Sequence, residues 1–173
     1  MPELSARLAR WRVPSGFLFG VIVLWLARPS AESLAAGGAI AVVGEGIRFW
    51  AAGHLRKGQE VTMSGPYRFT RHPLYLGSSI IGIGLAVGAR SVVVAVLIAV
   101  YLGVMVTAAI RSEEAFLTRK FGPRYEEYRR AGAEPGAASR PFSARQALAN
   151  HEYRAVIGLV VALALLAGRA WLG

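Results

Sequence analysis

Long apolar runs separated by short polar joints dominate the chain, and they predict helical segments at about residues 14–27, 33–54, 74–89, 91–111 and 154–172. At about 1.5 Å per residue the fourth reaches roughly 32 Å and matches the hydrocarbon core of a bilayer, whereas the third reaches only roughly 24 Å. The third and fourth are therefore expected to form a tilted or partly re-entrant hairpin around Gly88-Ala89-Arg90-Ser91. From Ser112 to Arg130 the pattern changes. Phe116, Leu117, Phe121, Tyr125 and Tyr128 recur at spacings near three and four among charged residues, which predicts an amphipathic helix lying along the membrane surface. Gly122-Pro123 should break or kink it, and 131–138 reads as a Gly/Pro/Ala loop before the final helix. With no tandem repeat and no separate soluble domain, residues 1–173 read as one all-α, polytopic membrane domain of about five transmembrane helices with a cytoplasmic interfacial helix.

Composition supports lipid as the solvent, since 54% of residues are hydrophobic and only 17% charged. Twenty Lys and Arg against ten Asp and Glu give a net charge of +10, and every cation except Lys57 and Lys120 is arginine. A nucleic-acid partner is set aside because the arginines cluster at the ends of apolar runs, where anionic headgroups and the positive-inside rule place them. The amino terminus (Arg7, Arg10, Arg12), the 55–73 loop and the 111–154 region are basic, while the intervening turns hold only Arg28 and Arg90. These three basic regions are expected to face the cytoplasm. The first apolar run follows arginines as a signal peptide would, but Arg28-Pro29-Ser30-Ala31-Glu32 is a poor cleavage site, so the run reads as the first membrane helix. The chain has no cysteine, which excludes disulfides, thiolate metal ligation and a cysteine nucleophile.

Candidate chemistry concentrates in Gly65-Pro66-Tyr67-Arg68-Phe69-Thr70-Arg71-His72-Pro73-Leu74-Tyr75-Leu76-Gly77, directly before an apolar helix. Pro73 suits a first helical turn, and a polar residue before it can serve as a cap. Arg71 and His72 with Tyr75 one turn on also make a cationic, hydrogen-bonding mouth at a helix amino terminus, which attracts carboxylates. Glu113-Glu114 closes the fourth apolar run. A carboxylate pair there opposes the helix dipole unless the helix continues or Arg111 and Arg119 compensate. The functional alternative is that one glutamate accepts hydrogen bonds from an ammonium or ribose group while Arg111 addresses an anionic substrate. Glu45 and Arg48, three apart in the second segment, read as a mutually neutralising pair. Gly77, Gly82, Gly84 and Gly88 point to close helix packing in lipid. His54, His72 and His151 lack carboxylate spacing, and no metal site is expected.

GPYRFTRHPLYLG, followed after two apolar stretches by EEAFLTRKFGPRYEEYRR, resembles the isoprenylcysteine carboxyl methyltransferase family and its phospholipid methyltransferase relatives over about residues 48–130. The resemblance implies an all-helical integral membrane enzyme that binds S-adenosyl-L-methionine on the cytoplasmic side, here of a bacterial type in the inner membrane. Carried over, Tyr67, Arg71, His72, Pro73, Leu74 and Tyr75 would contact the cofactor, Glu113 would hold its amino group or ribose, and Gln59, Glu60, Val61 and Thr62 would line the same pocket. Arg111 and Glu114 are the expected catalytic pair. The family's arginine four residues before the first glutamate is Ala109 here, and its histidine ahead of the Gly-Pro-Tyr element is Gln59. The implied reaction is in-line attack on a sulfonium methyl by a lipidic or hydrophobic acceptor entering from the bilayer, which demands alignment and exclusion of water. A carboxylate acceptor, as in isoprenylcysteine, is ionised at neutral pH and needs no base. A phospholipid amine or a small thiol would need one, for which His72, Tyr75 or a glutamate is available. The competing non-enzymatic reading, a membrane module binding lipid or protein through its basic face, requires no convergence of Tyr67, His72, Tyr75 and Glu113.

Overall fold

The fold is that of a computed structural model describing residues 18–132 and 140–172; the basic amino terminus, the start of the first apolar segment and the 133–139 stretch lie outside the described residues. The described elements are α1 (18–26), α2 (Ala31–His54), α3 (Pro73–Ala89), α4 (Val92–Phe121), α5 (Pro123–Ala131), α6 (Ala144–Ala149) and α7 (Tyr153–Trp171), with a 3-10 turn at Gly65–Arg68. Three of them, α2, α4 and α7, are long and apolar enough to cross a membrane, while α3 is shorter at 17 residues. The chain is an integral membrane protein. Val92, Val96, Val100 and Val104, one turn apart on α4, face outward, as a lipid-contacting stripe requires.

Local chemistry sets the helix boundaries. Ser30 and Ser33 form a reciprocal capping box that starts α2, and Ser33 also donates to the Gly88 carbonyl at 3.0 Å, tying that start to the end of α3. The expected hairpin between α3 and α4 is present, with Arg90 left-handed at φ 46° and the Ser91 hydroxyl accepting from the Val94 amide. Helices α2 and α3 make the most extensive helix pair, and glycine allows it. A Cβ on Gly44 would sit 2.7 Å from the Gly77 carbonyl oxygen, and one on Gly84 would sit 2.5 Å from the Gly37 carbonyl oxygen. Any side chain at these contacts would force the backbones apart. At the end remote from the basic loops, Ala27, Ala89, Val94, Ile98 and Leu166 form an apolar cluster that draws α1, α3, α4 and α7 together.

The stretch after Arg111 departs from the sequence reading in one respect and follows it in another. First, α4 does not stop near Arg111: it runs 30 residues to Phe121, about 45 Å, so its last turns project beyond a hydrocarbon core of about 30 Å. Second, the expected break at Gly122-Pro123 is present, and the remainder of the expected surface helix is the separate α5, which begins after Gly122 (φ 52°) with Pro123 in its first turn. It buries Tyr125 and Tyr128 against Val61, with Met63, Leu117 and Phe121 packed around them. An amphipathic pattern records only that one face is buried; here protein covers much of it. The short α6 was not anticipated. Its Ser143 hydroxyl accepts from the Gln146 amide, and Asn150 just after it donates to the carbonyls of Ala52 and Leu55, both at 2.8 Å. Those bonds close the carboxyl end of α2.

Candidate active site

The end of α2, the 55–72 loop, the start of α3, the projecting turns of α4 and the start of α7 meet at one end of the bundle. His72 occupies the N-cap position of α3 but makes no capping bond. Its ring reaches across to α4 instead, with Nε2 3.2 Å from Glu114 Oε1 and Nδ1 3.9 Å from Glu113 Oε2. Arg71 Nη1 lies 3.4 Å from the same Glu114 oxygen. Because α4 continues about two turns past Glu114, neither carboxylate meets unpaired terminal carbonyls, and the dipole objection disappears. The Tyr75 ring lies 5.9 Å from the His72 ring, and its hydroxyl faces Glu113.

Beneath this group the loop is pinned by tyrosines. The Tyr128 hydroxyl donates to the Tyr67 carbonyl at 2.8 Å. Burial pushes the Tyr128 phenol up to about 12 and raises that of Tyr67 further, the latter reinforced by the Glu113 carboxylate and more weakly by Glu152. Both phenols therefore stay neutral donors across the physiological range. Pro73 is fully buried in the first turn of α3. The Leu74 carbonyl accepts from Arg48 Nη1 at 3.3 Å.

Not every expected residue joins the cluster. Gln59 is exposed in a turn, Glu60 makes a two-pronged pair with Arg140 at 2.6 and 3.0 Å, Val61 packs on Tyr125 and Tyr128, and the Thr62 hydroxyl accepts from the Arg56 amide at 3.4 Å. The side chains of Glu60, Val61 and Thr62 are thus engaged with partners other than His72, and that of Gln59 is exposed. Arg111 is exposed on α4, and no ion pair involves it among the described residues. The guanidinium drawn into the bundle is that of Arg48, which is half-buried. Its Nε lies 2.7 Å from Glu152 Oε1 and 3.8 Å from Glu45 Oε2, while Nη1 also donates to the Ser78 hydroxyl. The Glu45–Arg48 pair was legible from its helical spacing. Glu152 was missed because it is remote in sequence and reaches Arg48 only through the docking of α7. Among the described residues no group of three or more His, Cys, Asp or Glu side chains is arranged to hold a metal ion.

The helical bundle thus gathers a histidine, two tyrosines and paired glutamates at its polar end. The sequence pattern of the phospholipid methyltransferase family matches residues 15–124, and the chain belongs to that family. Among curated relatives, the nickel-cobalt-cadmium resistance protein NccN of Alcaligenes xylosoxydans xylosoxydans is 36% identical over 85 residues, covering 48% of this chain and 39% of that protein. The cobalt-zinc-cadmium resistance protein CzcN of Cupriavidus metallidurans is 31% identical over 134 residues, 72% of this chain and 60% of that protein. The matches thus span less than two thirds of either relative's length. No solved structure matches the chain.

Proposed function

We propose that the protein uses S-adenosyl-L-methionine to methylate a lipidic or hydrophobic acceptor that reaches the site from the bilayer, at the cytoplasmic end of the bundle. The observation that carries this reading is the meeting of His72 with Glu113 and Glu114, which joins the two family-like motifs across α3 and α4. The donor set suits the cofactor. His72 Nδ1 is buried without a hydrogen-bond partner, and the Glu113 side chain remains 35% exposed and can accept from an ammonium or ribose hydroxyls. Arg71 and the amino terminus of α3 suit a carboxylate, and the faces of Tyr67 and Tyr75 suit a cationic or aromatic group. When bound, S-adenosyl-L-methionine supplies an electrophilic methyl group on a sulfonium. The chain's own contribution is to hold both reactants in line and to keep water out, with the Tyr128–Tyr67 bond pinning the loop that carries the site.

The family resemblance supports a carboxylate acceptor of the isoprenylcysteine kind, which needs no base. Its recognition would fall to Arg111 with Glu114 beside it, yet Arg111 is exposed and the half-buried Arg48 is already paired with Glu152. The excess of carboxylates around Arg48 favours a second acceptor chemistry, an amine. Calorimetry of the purified protein in detergent tests the shared core of both: S-adenosylhomocysteine should bind, and Glu113→Ala and His72→Ala should each weaken it by about tenfold or more. Unchanged affinity in both folded variants would remove the cofactor assignment.

A further inference from the structure

Two tyrosines stand one turn apart on the buried face of α5, and only one of them uses its hydroxyl. Tyr128 donates to the Tyr67 carbonyl at 2.8 Å, whereas the Tyr125 hydroxyl is buried without a hydrogen-bond partner on a residue that is 1% exposed. The other buried polar atoms left without a bond belong to Glu45, Arg48, His72 and Glu152, all members of close acid–base pairs. A phenol has no such recourse: it needs an acceptor, and a buried donor left without one is costly. The packing around Tyr125 indicates which acceptor is at hand. Tyr125 lies in a cluster with Tyr128 and Val61, against which Leu117 and Phe121 of α4 pack. Glu114, Leu117 and Phe121 recur at three and four residues, so the face of α4 that receives the cluster is the one that carries Glu114. Burial pushes the Tyr125 phenol up, the Glu114 carboxylate adds to the rise and the Arg71 guanidinium opposes it, so the hydroxyl is a neutral donor near both charges. Glu114 is already engaged: its Oε1 faces His72 Nε2 at 3.2 Å and Arg71 Nη1 at 3.4 Å. Arg71 is the freer of the two partners, with 40% of its side chain exposed against 14% for His72.

We propose that Tyr125 is a positioning residue for Glu114: as Arg71 turns to the carboxylate of the bound methyl donor, the Tyr125 hydroxyl takes its place on Glu114 and keeps that side chain against His72. The inference deepens the methyltransferase reading and rests on it, since the carboxylate that draws Arg71 away is the cofactor's. A donor that is idle in the free protein gains its acceptor only on binding, so removing it should reduce affinity without reducing stability. Tyr128, whose hydroxyl is bonded in the free protein, has the opposite signature.

The experiment compares S-adenosylmethionine with its decarboxylated form by calorimetry on the full chain in detergent, for the unmodified protein, Tyr125→Phe, Glu114→Gln and the double variant. The unmodified protein should prefer the carboxylated form. Tyr125→Phe should weaken S-adenosylmethionine about tenfold and leave the decarboxylated form within about twofold, with an unfolding midpoint that holds or rises because a buried unpaired hydroxyl is gone. In the double variant the two losses should not add, since both remove the same contact. A lowered midpoint with unchanged affinity makes Tyr125 a packing residue and overturns the inference. Additive losses also overturn it, because they put the hydroxyl on the ligand itself, as does equal weakening of both forms. Where Tyr125→Phe fails to fold, Arg71→Ala on the exposed loop decides: it should erase the preference for the carboxylated form, and a preference kept intact sinks the exchange. Binding of neither form by the unmodified protein overturns the methyltransferase reading and the exchange with it, whereas binding that Tyr125→Phe leaves unaltered removes the exchange alone.

Discussion

At the scale of single residues, the site is defined by where side chains point away from their obvious structural duties. His72 could have capped α3, yet its ring turns to Glu114. Glu114→Gln keeps the shape but removes the charge shared by His72 and Arg71, so S-adenosylhomocysteine binding should weaken by about tenfold while the unfolding midpoint moves little. A large loss of thermal stability with unchanged binding would instead mark Glu114 as a structural brace. The two arginines separate by burial. Arg48→Lys cannot reproduce a guanidinium that serves Glu152, the Leu74 carbonyl and the Ser78 hydroxyl together, and methyl transfer should fall steeply. Arg111→Lys should leave transfer within about twofold, because an exposed cation contributes little. Parallel rate measurements on both variants decide this, and equal losses would return the acceptor role to Arg111.

At the scale of elements, two contacts set the geometry. Gly84 and Gly44 let α2 and α3 approach until backbone meets backbone. Gly84→Ala should lower stability by about 1 to 3 kcal/mol, read as a fall in unfolding midpoint in detergent, because neither helix backbone can yield at the contact. The second contact is the tyrosine clamp of α5 on the 3-10 turn. The Tyr128 phenol, pushed up to about 12, favours the fold while neutral. Its contribution is complete below the unfolded value of about 10 and is lost as pH rises towards 12. Unfolding measured from pH 9 to 12 should therefore show a steeper decline for the unmodified protein than for Tyr128→Phe. Parallel declines would place the alkaline sensitivity elsewhere.

At the scale of the whole molecule, the basic 55–72 loop, the projecting end of α4 and the start of α7 share one end, with Arg28 and Arg90 at the other. On the distribution of arginines we propose that the first end faces the cytoplasm. Cysteine introduced at exposed Gln59 of this cysteine-free chain should resist a membrane-impermeant thiol reagent in intact cells, whereas cysteine at Leu172 should react. The reverse pattern would invert the topology and move the site outside. The apolar runs by themselves determined the helices and the lipid setting, because burying that much hydrocarbon in water has no alternative. The GPYRFTRHPLYLG and EEAFLTRKFGPRYEEYRR strings likewise determined the family, since their residue types and order survive without coordinates. Tertiary structure alone decided that α4 continues past its charges, that Arg111 faces out while Arg48 is half-buried, and that Glu152 completes the cluster. Periodicity reports which face of a helix is covered but not by what, and a pair remote in sequence becomes neighbours only when glycine contacts and the Asn150 anchor bring α2, α3 and α7 into register.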